Sequence, residues 1–320
     1  MRRVIADVVR AEGAPGPTLV LDRDRLPPGM LASRSDLAAV RAWLERSGRG
    51  HIRKLGLYGT SADPAYDLDY RFVQCLPGGF DFRTGCGHSL LACVAARGLT
   101  GPVRVRAVTT GDTVVCEPEP GGTYTVRLER PGPLAALLPT GRPLDLLCGL
   151  RVTLVRFGNP YVLVNAADLG LRSGRELFTA DDAVLARLRE VRAAAAAALG
   201  HRPDGAVPKV AALAVDRAGA LAVRAVTVPA WHPSLALTGA LCVTAAAAVP
   251  GTLPELLTRA GGGAPGASGR RPMRLLTPGG AVATSAATAG SWLRDVSVHG
   301  KRARVVERGV PLPWRIHVTA

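Results

Sequence analysis

The sequence predicts an α+β fold of two similar units, each a curved sheet wrapped about one buried helix. Two observations carry that expectation. First, "GCGHSLLACVAARG" and "LTGALCVTAAAAVPG" are both short, nearly all-apolar helical runs announced by glycine and preceded by strand-like sequence. A helix without a polar face belongs inside a protein rather than on its surface. Second, the flanking segments alternate polar and apolar residues, as half-buried strands do. The plan of strands followed by a buried helix thus occurs twice, in pattern though not in residue identity. The expected division is 1–146 and 147–295, with 296–320 returning to the first unit.

In chain order, residues 17–22 read as a strand ended by the "DRLPPG" turn. "SRSDLAAVRAWLERSG" sets Leu37, Val40 and Leu44 at helical spacing, with Ser33 or Ser35 as its cap. "DLDYRFVQC" (67–75) alternates as a strand, and residues 88–97 form the first buried helix, stopped by Gly98. "VRVRAVTT", "DTVVCEP" and "TYTVRLER" follow as strands. Two more flank the Gly158-Asn159-Pro160 turn. Thr179 and Asp182 read as a capping box opening a helix that runs to Gly200. "PKVAALAVD" and "LAVRAVTV" are strands, and the second apolar helix follows. The glycine-rich stretch "GTLPELLTRAGGGAPGASGRRP" (251–272) reads as a linker, with 259–272 as its joining part, after which two or three strands close the chain.

Bulk composition narrows the function. Apolar residues make up 48% and charged residues 20%, which fits a globular chain with a real core. No apolar run approaches the roughly 20 residues of a membrane span, and charges interrupt the N-terminus, so no membrane partner and a cytoplasmic protein are expected. The net charge is +15, yet only Lys54, Lys209 and Lys301 among the 40 basic residues are lysines. Scattered arginines with 4% aromatics and no nucleic-acid-binding signature argue against a nucleic-acid partner. The same field suits a small anionic substrate. Six cysteines without CxxC pairing and six histidines without HxxxH spacing point to free thiols and to no metal. A homo-oligomer is compatible with all of this.

The chemistry concentrates at the two helix starts. A helix N-terminus presents unpaired amides and the positive end of the dipole. Cys86 stands there between Gly85 and Gly87, and a thiol so placed is available as a base or nucleophile. A buried thiol at a tight turn fits the residues equally well. His88 is the candidate partner, with Gly87 and Ser89 as substrate-binding neighbours. At the second start, Thr238 and Gly239 offer a hydroxyl and amides to a carboxylate or a developing oxyanion. Asn159 joins them as a substrate-binding residue. Together these groups suit proton abstraction beside a carboxylate.

The ordered segments "DLDYRFVQ…GCGHSLLACVAARG", "VTLVRFGNPYVLVNAADLGL", "PKVAALA", "LTGALCVTAAAAVPGT" and "GKRARVVERGVPLP" resemble the PrpF family. That family comprises 2-methylaconitate cis-trans isomerases and related tautomerases, with the fold of diaminopimelate epimerase and proline racemase. The resemblance implies two similar domains with an active site in the cleft between them. It also implies cofactor-free proton transfer on a small unsaturated acid. It makes Cys86 the acid/base cysteine, Asn159-Pro160 a substrate element and Thr238-Gly239 an anion-binding helix start. Arg302 and Arg304 fall in the family's C-terminal basic segment.

The chain departs from the family at three places. Arg10 to Gly16 reads RAEGAPG where the family has Arg-Gly-Gly-Thr-Ser-Lys-Gly, and His88 replaces an asparagine. Thr60-Ser61 is followed by no lysine, and Lys54 lies early in the sequence for that role. The family lysines are therefore expected to be missing, with His88 or Tyr66 as replacement base. The expected reaction is a double-bond-shifting isomerisation or tautomerisation in specialised metabolism, on an acid other than 2-methylaconitate. Two alternatives stand beside it: a catalytically degenerate binding or accessory protein, and covalent catalysis by Cys86 with His88 as base.

Overall fold

The computed structural model describes residues 4–25, 34–76, 78–216, 220–227, 230–260 and 269–312. The chain forms two compact units, residues 1–124 with 301–320 and residues 125–300. The sequence reading put the boundaries at 146/147 and 295/296. The first unit contains β1 (Ile5–Ala11), β2 (Thr18–Asp22), α1 (Arg34–Arg46), β3 (Lys54–Thr60), β4 (Leu68–Leu76), β5 (Gly79–Asp81), α2 (Gly87–Arg97), β6 (Val103–Ala107) and β7 (Asp112–Glu119). β8 (Thr123–Pro133) leads into the second unit. There follow β9 (Asp145–Leu147), β10 (Leu150–Phe157), β11 (Asn159–Asn165), α3 (Gly174–Phe178) and α4 (Asp182–Ala198). The unit continues with β12 (Lys209–Val215), β13 (Leu221–Thr227), β14 (Ala230–Trp231), α5 (Leu237–Ala246), α6 (Leu253–Ala260), β15 (Gly269–Thr277), β16 (Gly280–Ala289) and β17 (Trp292–Lys301). β18 (Ala303–Pro311) returns to the first unit, antiparallel to β1.

The strand plan repeats. In the first unit β1–β2 is antiparallel, β2–β3 parallel, β3–β4 antiparallel, β4–β6 parallel and β6–β7 antiparallel. In the second, β10–β11, β11–β12, β12–β13, β13–β15 and β15–β16 follow the same alternation. Each parallel step needs a crossover: α1 spans β2 to β3, and α3 with α4 spans β11 to β12.

In each unit one sheet face packs on the crossover helices and the other on an apolar helix. Leu19, Leu21, Leu55, Leu57 and Val73 share a core with Leu37, Val40 and Leu44 of α1. Side chains alternate along a strand, so Thr18, Val20, Lys54 and Gly56 lie on the opposite face, which bears α2. A Cβ on Gly56 would stand 2.7 Å from Cys93 Sγ and 3.3 Å from the Ser89 carbonyl. Glycine is what lets α2 lie this close. In the second unit Val162, Val164, Val210 and Ala212 pack with Leu185, Leu188 and Val191 of α4. The other face bears α5, whose Cys242 thiol approaches the Val155 and Asn159 carbonyls at 3.7 and 3.6 Å.

Several local expectations change. α4 is capped by Asp181, which accepts from the Val184 amide at 3.1 Å, whereas Thr179 caps the end of α3. Asp181→Ala should lower stability by about 1 kcal/mol, measured by chemical denaturation. Residues 253–260, read as part of a glycine-rich segment, are helical as α6. Thr252 Oγ1 accepts from the Glu255 amide, and the Glu255 carboxylate accepts from the Gly251 amide at 3.1 Å. That is a capping-box arrangement starting a helix. Residues 261–268 of the expected linker, and the candidate cap Ser33, lie outside the described residues. Four strands close the chain instead of two or three, and β1 and β3 appear where no strand was expected.

Candidate functional site

Cys86 is the N-cap of α2, with extended backbone (φ −136°, ψ 103°). Its carbonyl accepts the first helical bond from the Leu90 amide at 2.9 Å, and a second from the Tyr70 hydroxyl at 3.0 Å. Burial holds the Tyr70 phenol well above its ordinary range, which keeps it protonated and donating. The Ser89 hydroxyl, one turn into the helix, donates to Cys86 Sγ at 3.3 Å and is paired with Thr18 Oγ1 at 2.9 Å. The thiol is thus held by the Ser89 hydroxyl, which Thr18 of β2 anchors in turn. No acidic residue occupies the first turn of α2.

All six cysteines are free thiols, and they separate sharply by environment. Cys75, Cys93, Cys116 and Cys242 are buried, and burial raises each thiol: to about 11 for Cys75, to about 12 for Cys116 and Cys242, and well up for Cys93. Such thiols stay protonated and inert. Cys86 is half-buried and Cys148 exposed. Brief treatment of the native protein with iodoacetamide should therefore modify Cys86 and Cys148 alone, read by peptide mass spectrometry. Labelling of Cys93 or Cys242 at comparable rate would contradict the packing of α2 or α5.

The other expected residues fall into place unevenly. Ser89 touches Cys86, as described. His88, also in the first turn of α2, is buried to 3% exposure. Tyr66 is engaged elsewhere in the first unit. Its hydroxyl meets Thr113 Oγ1 at 2.9 Å, and Arg104 and Arg106 lie over its ring at 5.7 and 5.6 Å. Arg302 donates to the Gly121 carbonyl at 2.8 Å, a bond that ties the β7–β8 turn. Arg304 pairs in register with Arg10.

Lys54, which sequence spacing set aside, lies on the same sheet face as α2. It opens β3 and is half-buried, two residues before Gly56 and therefore on the α2-bearing face. The β2–β3 register, Leu19 opposite Leu55, brings Lys54 alongside Thr18. Thr18 bonds Ser89, and Ser89 bonds Cys86. The available signal was compositional: lysine is rare in this chain, so each one marks a position where arginine was not used.

In the second unit, Asn159 opens β11 and is buried, with Nδ2 donating to Thr238 Oγ1 at 3.5 Å. Thr238 is half-buried in the first turn of α5, whose N-cap is Ala236. The Gly239 amide is engaged with the Ala236 carbonyl at 2.8 Å. A Cβ there would meet Tyr161 Oη at 2.7 Å and Leu235 Cδ1 at 2.9 Å. What Gly239 visibly provides is clearance for Tyr161 beneath the helix start. His232 is buried, and its Nδ1 accepts from the Ser234 amide at 3.1 Å. Among the described residues no group of three or more His, Cys, Asp or Glu side chains gathers at metal-binding spacing.

Comparison with known proteins adds to this geometry. The model of the family described as "PrpF protein" matches residues 125–307, more than half of the chain. The chain is 29% identical over 247 residues to 4-oxalomesaconate tautomerase of Pseudomonas putida, covering 66% of this chain and 68% of that protein. It is 30% identical over 211 residues to 2-methyl-aconitate isomerase of Shewanella oneidensis, covering 55% and 51%. The crystal structure of a methylitaconate-delta-isomerase superposes with a TM-score of 0.69 at 19% identity, covering 96% of this chain and 95% of that one.

Proposed function

This chain belongs to the PrpF protein family, and from that premise we propose that it is an isomerase that moves a double bond beside a carboxylate of a small unsaturated acid. The observation that carries the reading is Cys86. It is a half-buried thiol at a helix start, bonded by Ser89, which Thr18 anchors, in a chain whose other helix-borne thiols are buried and held protonated. Two relatives named for tautomerisation or isomerisation of unsaturated polycarboxylates support the substrate class.

In this scheme Cys86, as thiolate, takes the proton from the carbon next to the substrate carboxylate. The electron pair left on carbon spreads into the adjoining double bond and carboxylate, and the positive end of α2 stabilises the charge that develops. The Lys54 ammonium returns a proton to the distal carbon, which completes the double-bond shift. Cys86 then gives its proton to solvent and Lys54 regains one, so the enzyme ends as it began. No cofactor enters the scheme. We assign the second proton to Lys54 rather than to His88, because His88 is buried to 3% while Lys54 is half-buried on the face that bears Cys86. His88 then positions the first helical turn.

The test is proton NMR in deuterated water over a panel of unsaturated mono-, di- and tricarboxylates and β-keto acids. Deuterium incorporation or double-bond movement that depends on Cys86 identifies the substrate class. Turnover by Cys86→Ala at the wild-type rate removes the mechanism.

A further inference from the structure

Lys301 is the other lysine of the first unit, and neither the helix start nor the scheme above has used it. It ends β17, two residues before β18, whose register with β1 pairs Ala303 with Ala11 and Val305 with Val9. The Glu12 amide donates to the Arg302 carbonyl at 2.8 Å, so the ladder continues past Ala303. Alternation places Lys301, Ala303 and Val305 on one face. All three are half-buried, while Arg304 and Val306 are exposed. Arg302 turns the other way, to the Gly121 carbonyl.

The face that Lys301 shares is the one bearing α2. Val305 lies opposite Val9, Val9 opposite Thr18, and Thr18 holds Ser89 of α2. The direction follows from the far end, where Arg308 reaches the Ala96 carbonyl in the last turn of the helix at 3.5 Å. Helix and strand therefore run the same way, and the start of β18 lies at the start of α2. From Ser89 back to Cys86 is about 4.5 Å of helix rise. From Val305 back to Lys301 is about 13 Å of strand. Lys301 thus lies about 9 Å farther along the strand direction than the thiol, past the N-terminal end of α2.

Its surroundings fit that use. Among the described residues its ammonium makes no hydrogen bond or ion pair within 4 Å, and Glu12 is the acidic group that acts on it at longer range. Burial lowers its pKa and Glu12 opposes the shift. A partly desolvated cation gains more from an arriving carboxylate than a fully hydrated one does. Lysine rather than arginine, in a chain with three lysines among 40 basic residues, supplies a compact point charge.

We propose that Lys301 is the carboxylate-holding residue of the Cys86 site, pairing with an acid group of the substrate while the thiol acts on the neighbouring carbon. The proposal rests on the reading of Cys86 as the reactive group, and its test needs no substrate. Cys86 is alkylated at low ionic strength with iodoacetate, which is anionic, and with iodoacetamide, which is neutral. The two rates are read at Cys86 by peptide mass spectrometry, with the exposed Cys148 as internal reference. Lys301→Met should lower the iodoacetate-to-iodoacetamide rate ratio at Cys86 about three- to tenfold, and leave the ratio at Cys148 unchanged. Lys301→Arg, which keeps the charge, should stay within about twofold of wild type. Lys301→Gln serves in place of Met if that variant does not fold. An unchanged ratio on neutralising Lys301 overturns the proposal, as does an equal loss in the arginine variant, which would indicate altered packing. Catalysis that proves independent of Cys86 would refute the proposed reaction while leaving this ratio measurable.

Discussion

Cys86→Ala should give a folded protein whose proton exchange and double-bond movement fall by about 10²–10⁴, the range for removing a positioned acid/base group. The fold should survive for structural reasons. Cys86 contributes its carbonyl to α2, through the Leu90 amide and the Tyr70 hydroxyl, and alanine retains that carbonyl. The thiol itself is half-buried and receives one hydrogen bond, from Ser89, whose hydroxyl keeps Thr18 as a partner. Alanine at an N-cap costs about 0.5–2 kcal/mol when it replaces a side-chain cap, but Cys86 makes no side-chain cap bond here. Unchanged thermal unfolding together with lost exchange is the expected pair of results. Cys86→Ser tests the same point more finely: it keeps a hydrogen-bonding group near Ser89 and removes the sulfur. It should fold as wild type and remain close to inactive.

The second large effect is structural. Gly56→Ala should destabilise the first unit by about 1–3 kcal/mol, the usual cost of overpacking a core. The added Cβ would stand 2.7 Å from Cys93 Sγ, with the Ser89 carbonyl and Thr18 Cγ2 each at 3.3 Å. All of these are fixed by the helix–sheet packing that also places Cys86, so exchange should slow along with stability. Cys93→Ala removes the closest atom and is the partner for a double-mutant cycle. The double variant should recover part of the loss, giving a coupling of roughly 0.5–3 kcal/mol. A strictly additive pair, measured by denaturant unfolding, would mean that α2 shifts as a body instead of meeting the new methyl group.

How much could be read beforehand differs between the two variants. The position of Cys86 at a helix start was legible because its signal is local: flanking glycines, a strand-like approach and an apolar helical run all lie within about a dozen residues. Gly56 was not, because its reason for being glycine is Cys93, a residue distant in sequence that the β3–α2 packing brings against it. The placement of Lys54 escaped the sequence for the same reason. Its spacing from Thr60-Ser61 argued against a role, whereas strand alternation and the β2–β3 register decided its place. β1 escaped notice because arginine, aspartate and glutamate interrupt "MRRVIADVVRAEG", and the strand is recognisable as one only through its pairing with β2 and β18. The helix at 253–260 shows the opposite failure. Thr252 and Glu255 were visible at capping-box spacing, but the glycines that follow outweighed them.

The sequence by itself determined the buried helices, their glycine stop at Gly98 (φ 70°), most of the strands, the free thiols and the candidate helix starts. Each of these follows from periodicity or from the backbone preference of a few neighbouring residues. Only the tertiary structure decided the division at 124/125 and 300/301, the clearance role of Gly239, and the burial of His88 beside a half-buried Cys86. It also set Lys54 on the sheet face that bears α2, through the β2–β3 register. The reason is register. A strand's own sequence fixes which side chains share a face, but its partners decide what that face meets, and those partners come from chain segments far apart.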